Sequence, residues 1–174
     1  MEQVLLFARA DSAPVARERR IVAVEALIEA GLHASGIGNP NAESAIEKIE
    51  KRIEAGLPPL SVDESSMTQA LRNLLDNAAR YGNGNKWIGV TAAARDKAVE
   101  IRIADRGPGI PADEQRRIFD AFFRGRRAID EQIHGTGLGL NLTRRIIEAN
   151  GGAIRVESAP LQMTEFIVTL PAVS

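Results

Sequence analysis

Apolar residues recur along this chain in two periods, and the switch between them marks its elements. From Asp63 onward, Met67, Ala70, Leu71, Leu74, Leu75 and Ala78 fall at three- and four-residue spacing, one face of an α-helix. Asp63 is placed to cap that helix and Tyr81-Gly82 to end it. Trp87 to Ala93 and the alternating Val99, Ile101 and Ile103 predict two strands joined at Arg95-Asp96. A second helix is expected over about 138–149, closed by Asn150-Gly151-Gly152. AIRVES and TEFIVTLP follow as a final antiparallel pair.

The first third is less regular. EQVLLFAR, residues 2–9, looks like the tail of a helix whose beginning is missing, and Asp11 to Pro14 break it. Ile21, Val24, Ala26, Leu27, Ile28 and Ala30 predict another helix, with Gly31 as its stop. SGIGNPN, residues 35–41, is a loop by composition. Over 46–62, Ile46, Ile49 and Ile53 suit a helix, but the segment is short and ends in Gly-Leu-Pro-Pro, so its type stays open. Together the patterns predict helices beside a mostly antiparallel sheet, an α+β two-layer sandwich.

Composition narrows the partners. At 174 residues the chain suggests one domain with a short appendage, and 44% hydrophobic residues suffice for a core. The net charge of −1 gives no global pull toward nucleic acid or an anionic membrane. With no cysteine, disulfides and thiolate metal sites are excluded, and two histidines, His33 and His134, are too few for a histidine-rich one. No run approaches the ~18 apolar residues of a membrane span and no signal-peptide core is evident, so the cytoplasm is the default expectation.

Three stretches carry candidate chemistry. GTGLGLNLTRRIIEANGG, residues 135–152, begins with glycines at alternate positions and runs into a helix. It is neither a Walker loop nor a dinucleotide fingerprint, since Leu140 or Leu142 stands where the third glycine would be. Free N–H groups at a helix start favour an anion, though the loop alone reads equally as a flexible turn. In RNLLDNAARYG, residues 72–82, Asn73, Asn77 and Arg80 share a polar face about 100° from the apolar stripe, with Tyr81 close by. An amide oxygen there suits Mg²⁺ that keeps its waters and takes phosphate oxygens, and an ordinary solvated face is the competing reading. In DRGPGIP, residues 105–111, Gly107 and Gly109 permit close backbone approach, and Asp105 could accept the exocyclic amino group of adenine. A plain Asp-x-Gly turn is the alternative.

In order, NLLDNAARYG, DRGPGI, IFDAFFRG and GTGLGL resemble the N, G1, F and G2 boxes of the catalytic ATP-binding domain of bacterial sensor histidine kinases. The resemblance covers roughly residues 60–171. It implies a mixed sheet with helices packed on one face and ATP under a mobile lid of about 111–136. It assigns Mg²⁺ to Asn77, a supporting role to Asn73, and phosphate or nucleotide contacts to Arg80 and Tyr81. Asp105 would read adenine, with Gly107, Gly109 and Ile110 shaping that wall. Phe119, Phe122 and Phe123 would anchor the lid and Arg124 would assist from it. Gly135, Thr136, Gly137, Leu138, Gly139 and Leu140 would close over the phosphates. Residues 48–54 would be a strand.

The family often carries a threonine directly before the phenylalanine of the last strand. Here Glu165 holds that place; Thr164, one residue earlier, could substitute as a nucleotide contact, although alternation would turn it the other way. Related hydrolases have a glutamate four residues before the metal-binding Asn to activate water. Asn73 occupies that position, so transfer to a histidine is favoured over strong hydrolysis. The implied partners are a dimerisation domain bearing the phosphoacceptor histidine, and a response regulator. Residues 1–14 would be the remnant of that hairpin and its linker, and 15–174 the catalytic domain, monomeric in isolation. A complete receptor could be membrane-anchored. A regulatory nucleotide-binding module without transfer activity and an anti-sigma-type protein-serine kinase are the alternatives. His33 sits in the wrong element for an acceptor, and His134 abuts the glycine loop.

Overall fold

The computed structural model describes residues 18–37, 48–82, 87–130, 135–159 and 161–173; EQVLLFAR, Ile46 and His134 lie outside these. In chain order the elements are β1 (Arg20–Val22), α1 (Val24–Ser35), β2 (Lys48–Ile53), β3 (Leu60–Val62) and α2 (Glu64–Tyr81). There follow β4 (Trp87–Arg95), β5 (Ala98–Asp105), α3 (Arg126–Asp130), α4 (Gly139–Ala149), β6 (Ala153–Ala159) and β7 (Met163–Pro171). A five-stranded sheet runs β2-β4-β5-β7-β6, and β1 and β3 form a separate pair. β2 lies parallel to β4, and the other neighbours are antiparallel. This is the expected α+β sandwich.

Alternation sorts the two faces of the sheet. Ile88, Val90, Ile101, Ile103, Phe166 and Val168 pack with Met67, Leu71 and Leu74 of α2 and Ile147 of α4 in one core. The opposite face carries charge. Arg102 bridges Glu100 at 2.7 Å and Glu165 at 3.1 Å, and Arg155 reaches Glu100 at 3.3 Å. α2 starts as expected, with Asp63 accepting the Ser66 N–H at 3.1 Å. Asn150, just past α4, accepts the Asp63 N–H at 2.8 Å, tying the end of α4 to the start of α2. Among the described residues no helix is long and apolar enough to cross a membrane.

Two expectations fail in the first third. Ile21 is not helical: it belongs to β1, opposite Ser61 of β3, and pairing there delays the helix to Val24. Nor does Gly31 stop α1. A Cβ there would stand 2.9 Å from Cβ of Leu71, so glycine is present to let α1 and α2 approach closely. The helix ends instead at Gly36, in the left-handed region at φ 69°. The open segment resolves as a strand: β2 pairs along β4 while Ile49 and Ile53 pack against the core.

Candidate active site

Between α2, the ends of β5 and β7, and the loops before α4 lies a cavity of about 390 Å³, within the size range of nucleotide and small-ligand pockets. One wall is the polar face of α2, which presents Asn73, Asn77, Arg80 and Tyr81. The floor is Asp105 and Thr164, and the adjoining loop adds Gly109 and Ile110. Arg124 enters from the phenylalanine-rich loop. Gly135, Thr136 and Gly137 with Gly139 and Leu140 of the first turn of α4 complete the rim. Residues from the three candidate stretches, with Arg124 and Thr164, therefore share one cavity. Gly107, Phe119 and Leu138 stand behind its walls rather than lining it.

Each of those three has a structural task. The Gly107 N–H donates to Asp105 Oδ1 at 2.8 Å, and a Cβ on Gly107 would stand 2.4 Å from the Tyr81 carbonyl oxygen. Phe119 meets Phe166 edge-on, ring centroids 6.3 Å apart. Leu138 is buried in the core, where the turn into α4 needs an apolar anchor.

Thr164, one of the candidate nucleotide contacts, lines the cavity against the alternation argument. It is the direct partner of Asp105 across β5 and β7, and its side chain is buried on the cavity wall. Alternation does separate Thr164 from Glu165, but Glu165 is the one facing away, toward Arg102. Phe122 also departs from its expected anchoring role. The residue is 66% exposed, and its backbone N–H donates to the Gly137 carbonyl at 3.0 Å.

The glycine loop is held in shape from two sides. Gly137 has φ 72°, and a Cβ there would stand 2.7 Å from the Phe123 carbonyl oxygen. Asn141 of α4 donates to the Phe119 carbonyl at 2.9 Å. Toward α2, Thr143 donates to the Gly139 carbonyl at 2.9 Å and so accepts the Asn73 amide N–H at 3.3 Å. This order fixes the Asn73 amide, leaving its Oδ1 as the acceptor. A Cβ on Gly135 would lie 3.4 Å from an Arg80 guanidinium nitrogen, so that cation sits against the loop.

Burial sets the electrostatics. Loss of hydration raises the Asp105 carboxyl to about 6, against the opposing pull of the Gly107 N–H. Asp76 also lines the cavity, and burial raises its carboxyl although Arg72 and Arg80 pull it down. Sequence reading passed over Asp76, yet the same 100° spacing places it beside Asn73 and Arg80. It missed Glu114 as well, a buried carboxylate on the cavity wall that accepts both the backbone N–H and the Nε–H of Arg126. Nothing in PADEQRR distinguishes that residue from its solvated neighbours.

A two-layer sandwich with a cavity between an amide-bearing helix, a buried acidic strand end and a glycine hinge defines a nucleotide-binding domain of the kinase and ATPase type. The chain belongs to the histidine kinase-, DNA gyrase B-, and HSP90-like ATPase family, whose model matches residues 62–174. It is 46% identical over 125 residues to the adaptive-response sensory kinase SasA of Gloeothece citriformis, across 71% of this chain and 31% of that protein. The sensor histidine kinase YcbM of Bacillus subtilis is 37% identical over 108 residues, 62% of this chain and 35% of that one. Among solved structures, full-length ShkA in complex with AMPPNP superposes with a TM-score of 0.83 at 31% identity, covering 99% of this chain and 35% of that one. The mycobacterial sensor histidine kinase MprB gives 0.70 at 28% identity, covering 88% and 97%. The chain thus has the fold of a histidine kinase catalytic domain, and it spans about a third of the length of the curated relatives it matches.

Proposed function

We propose that this chain binds Mg²⁺-ATP and donates the γ-phosphate to a histidine on the dimerisation domain of the same sensor kinase, for relay to a response regulator. The observation that supports this most is the meeting of Asn77, Asp105 and Gly137 at one cavity, in a chain whose relatives are sensor kinases. Asp105 would accept the adenine amino group. Arg80 and the backbone N–H groups of the glycine loop would hold the phosphates.

The donor set fits magnesium. Asn77 offers an uncharged hard oxygen on the cavity wall, and Asp76 adds a carboxylate one residue away. Such a set suits an ion that keeps water and takes its remaining ligands from phosphate. Bound there, the metal would neutralise charge on the phosphate oxygens. The protein groups would then position the γ-phosphate for in-line attack by a neutral imidazole. The new N–P bond forms as the P–O bond to ADP breaks. Asn73 cannot take a proton from water as a carboxylate would, so hydrolysis is expected to be slow.

Residues 1–14 would belong to the hairpin and 15–174 to the catalytic domain, with 111–136 acting as the lid. The isolated chain is expected to be a cytoplasmic monomer. Calorimetry with ADP and Mg²⁺ tests the binding; absence of heat and of a thermal shift overturns it. Mixing the chain with a hairpin carrying the acceptor histidine and γ-labelled ATP tests the transfer. Binding without label on the hairpin would leave a regulatory nucleotide module.

A further inference from the structure

Beside Asp105 the cavity wall includes Thr164, backed by the hydroxyl of Ser158 outside the four boxes. Thr164 of β7 stands opposite Ser158 of β6, their hydroxyl oxygens 2.8 Å apart. Ser158 Oγ accepts the backbone N–H of Ile110 at 2.8 Å. Gln115 locks this corner, its Nε2 donating to the Ile110 carbonyl at 2.9 Å and to the Ser158 carbonyl at 3.0 Å.

A hydroxyl has one hydrogen to give and two sites to receive. The Ile110 N–H fills one receiving site of Ser158. Either hydroxyl can donate across the 2.8 Å contact, and among the described residues Thr164 Oγ1 is the acceptor in contact with Ser158 Oγ. When Ser158 donates, the Thr164 hydrogen must point elsewhere, and Thr164 opens onto the cavity. Asp105, its partner across the ladder, accepts through its carboxylate. The floor then presents an acceptor next to a donor. Adenine offers the matching edge, an amino donor at C6 beside the N1 acceptor. Hypoxanthine and guanine reverse it, with an oxygen acceptor at C6 beside an N1–H donor.

We propose that Ser158 is a positioning residue which, by keeping its hydrogen on Thr164, turns the Thr164 hydroxyl toward the base as a donor and makes the Asp105–Thr164 pair select adenine over 6-oxopurines. This rests on the nucleotide reading of the cavity. Ser158 touches neither base nor phosphate in this account; it acts through Thr164, with Gln115 holding its strand to the loop.

The test is calorimetry of ATP, inosine triphosphate and tripolyphosphate against the chain and its variants. Ser158→Ala should lower ATP affinity roughly five- to tenfold, the weight of one buried hydrogen bond. Inosine triphosphate and tripolyphosphate affinities should stay unchanged, so the ATP-to-inosine ratio falls by that factor. Ser158→Thr keeps the hydroxyl and should restore the ratio. Thr164→Val should lose as much, and the double variant no more than Thr164→Val alone, because the two residues act in series. A wild-type ratio in Ser158→Ala or in Thr164→Val, or additive losses in the double variant, overturns the proposal. If the unmodified chain binds no ATP at all, the nucleotide reading fails and this inference with it.

Discussion

Asp105 and Thr164 are direct partners across the β5–β7 ladder, 3% and 4% exposed, and both line the same cavity. A carboxylate so poorly hydrated resists ionisation, so folding and ligand binding make opposite demands on it.

Folding favours the protonated form. The Asp105 carboxyl rises from 3.8 to about 6 on burial. The stabilisation from holding that proton is complete below the unfolded value and is lost as pH rises through about 6. At pH 8 the ionised group therefore destabilises the ligand-free chain by on the order of 3 kcal/mol. Asp105→Asn should raise the denaturation midpoint at pH 8 and flatten its change between pH 4 and 7. Adenine binding should run the other way, with affinity for ADP falling below about pH 6 as the acceptor is protonated. Denaturant titrations and calorimetry across that range check both slopes.

Asn77 is expected to carry the metal dependence. Asn77→Ala should bring ADP affinity in the presence of Mg²⁺ down to its metal-free value, a loss of roughly tenfold or about 1.4 kcal/mol. The fold should be little affected, because Asn77 lies on the cavity face of α2 outside its buried stripe. Equal affinities with and without Mg²⁺ in the unmodified chain would remove this role.

Gly137 cannot be replaced quietly. Its φ of 72° disfavours any side chain, and an alanine Cβ would overlap the backbone of Phe122 and Phe123 at 2.8 and 2.7 Å. Gly137→Ala should cost about 1–3 kcal/mol locally and weaken nucleotide binding more than it lowers the midpoint of global unfolding. Faster amide exchange over residues 119–125 is the accompanying signature.

Gly31 and Gly36 should respond for different reasons. Gly31→Ala gains helix propensity but forces α1 off Leu71 and should destabilise by about 1 kcal/mol, with Gly31→Val losing about 2–3. Gly36→Ala meets no neighbour within 4 Å yet must hold φ 69°, at about 1–2 kcal/mol. Denaturant midpoints separate steric from backbone strain, since Leu71→Gly, which removes the Cβ that a Gly31 side chain would meet, should relieve only the first.

Much of this protein was legible in its residues. The three- and four-residue spacing of α2, the alternation of β5 and the terminal glycines of α4 are local signals, because the period of buried positions follows from backbone geometry alone. The four boxes in their order carried the family and nearly all of the cavity lining. Pairing and register could not be read that way. Ile21 joined a strand because β3 was there to receive it, and Gly31 stayed helical because Leu71 lies against it. Thr164 rather than Glu165 faced the cavity because the β5–β7 register set it opposite Asp105. Glu114, Ser158 and Gln115 are polar residues in unremarkable loops and strands until the chain folds. A sequence fixes which side chains can alternate or share a helix face; which face becomes the wall of a site depends on contacts between segments far apart in the chain, and those the tertiary structure alone decides.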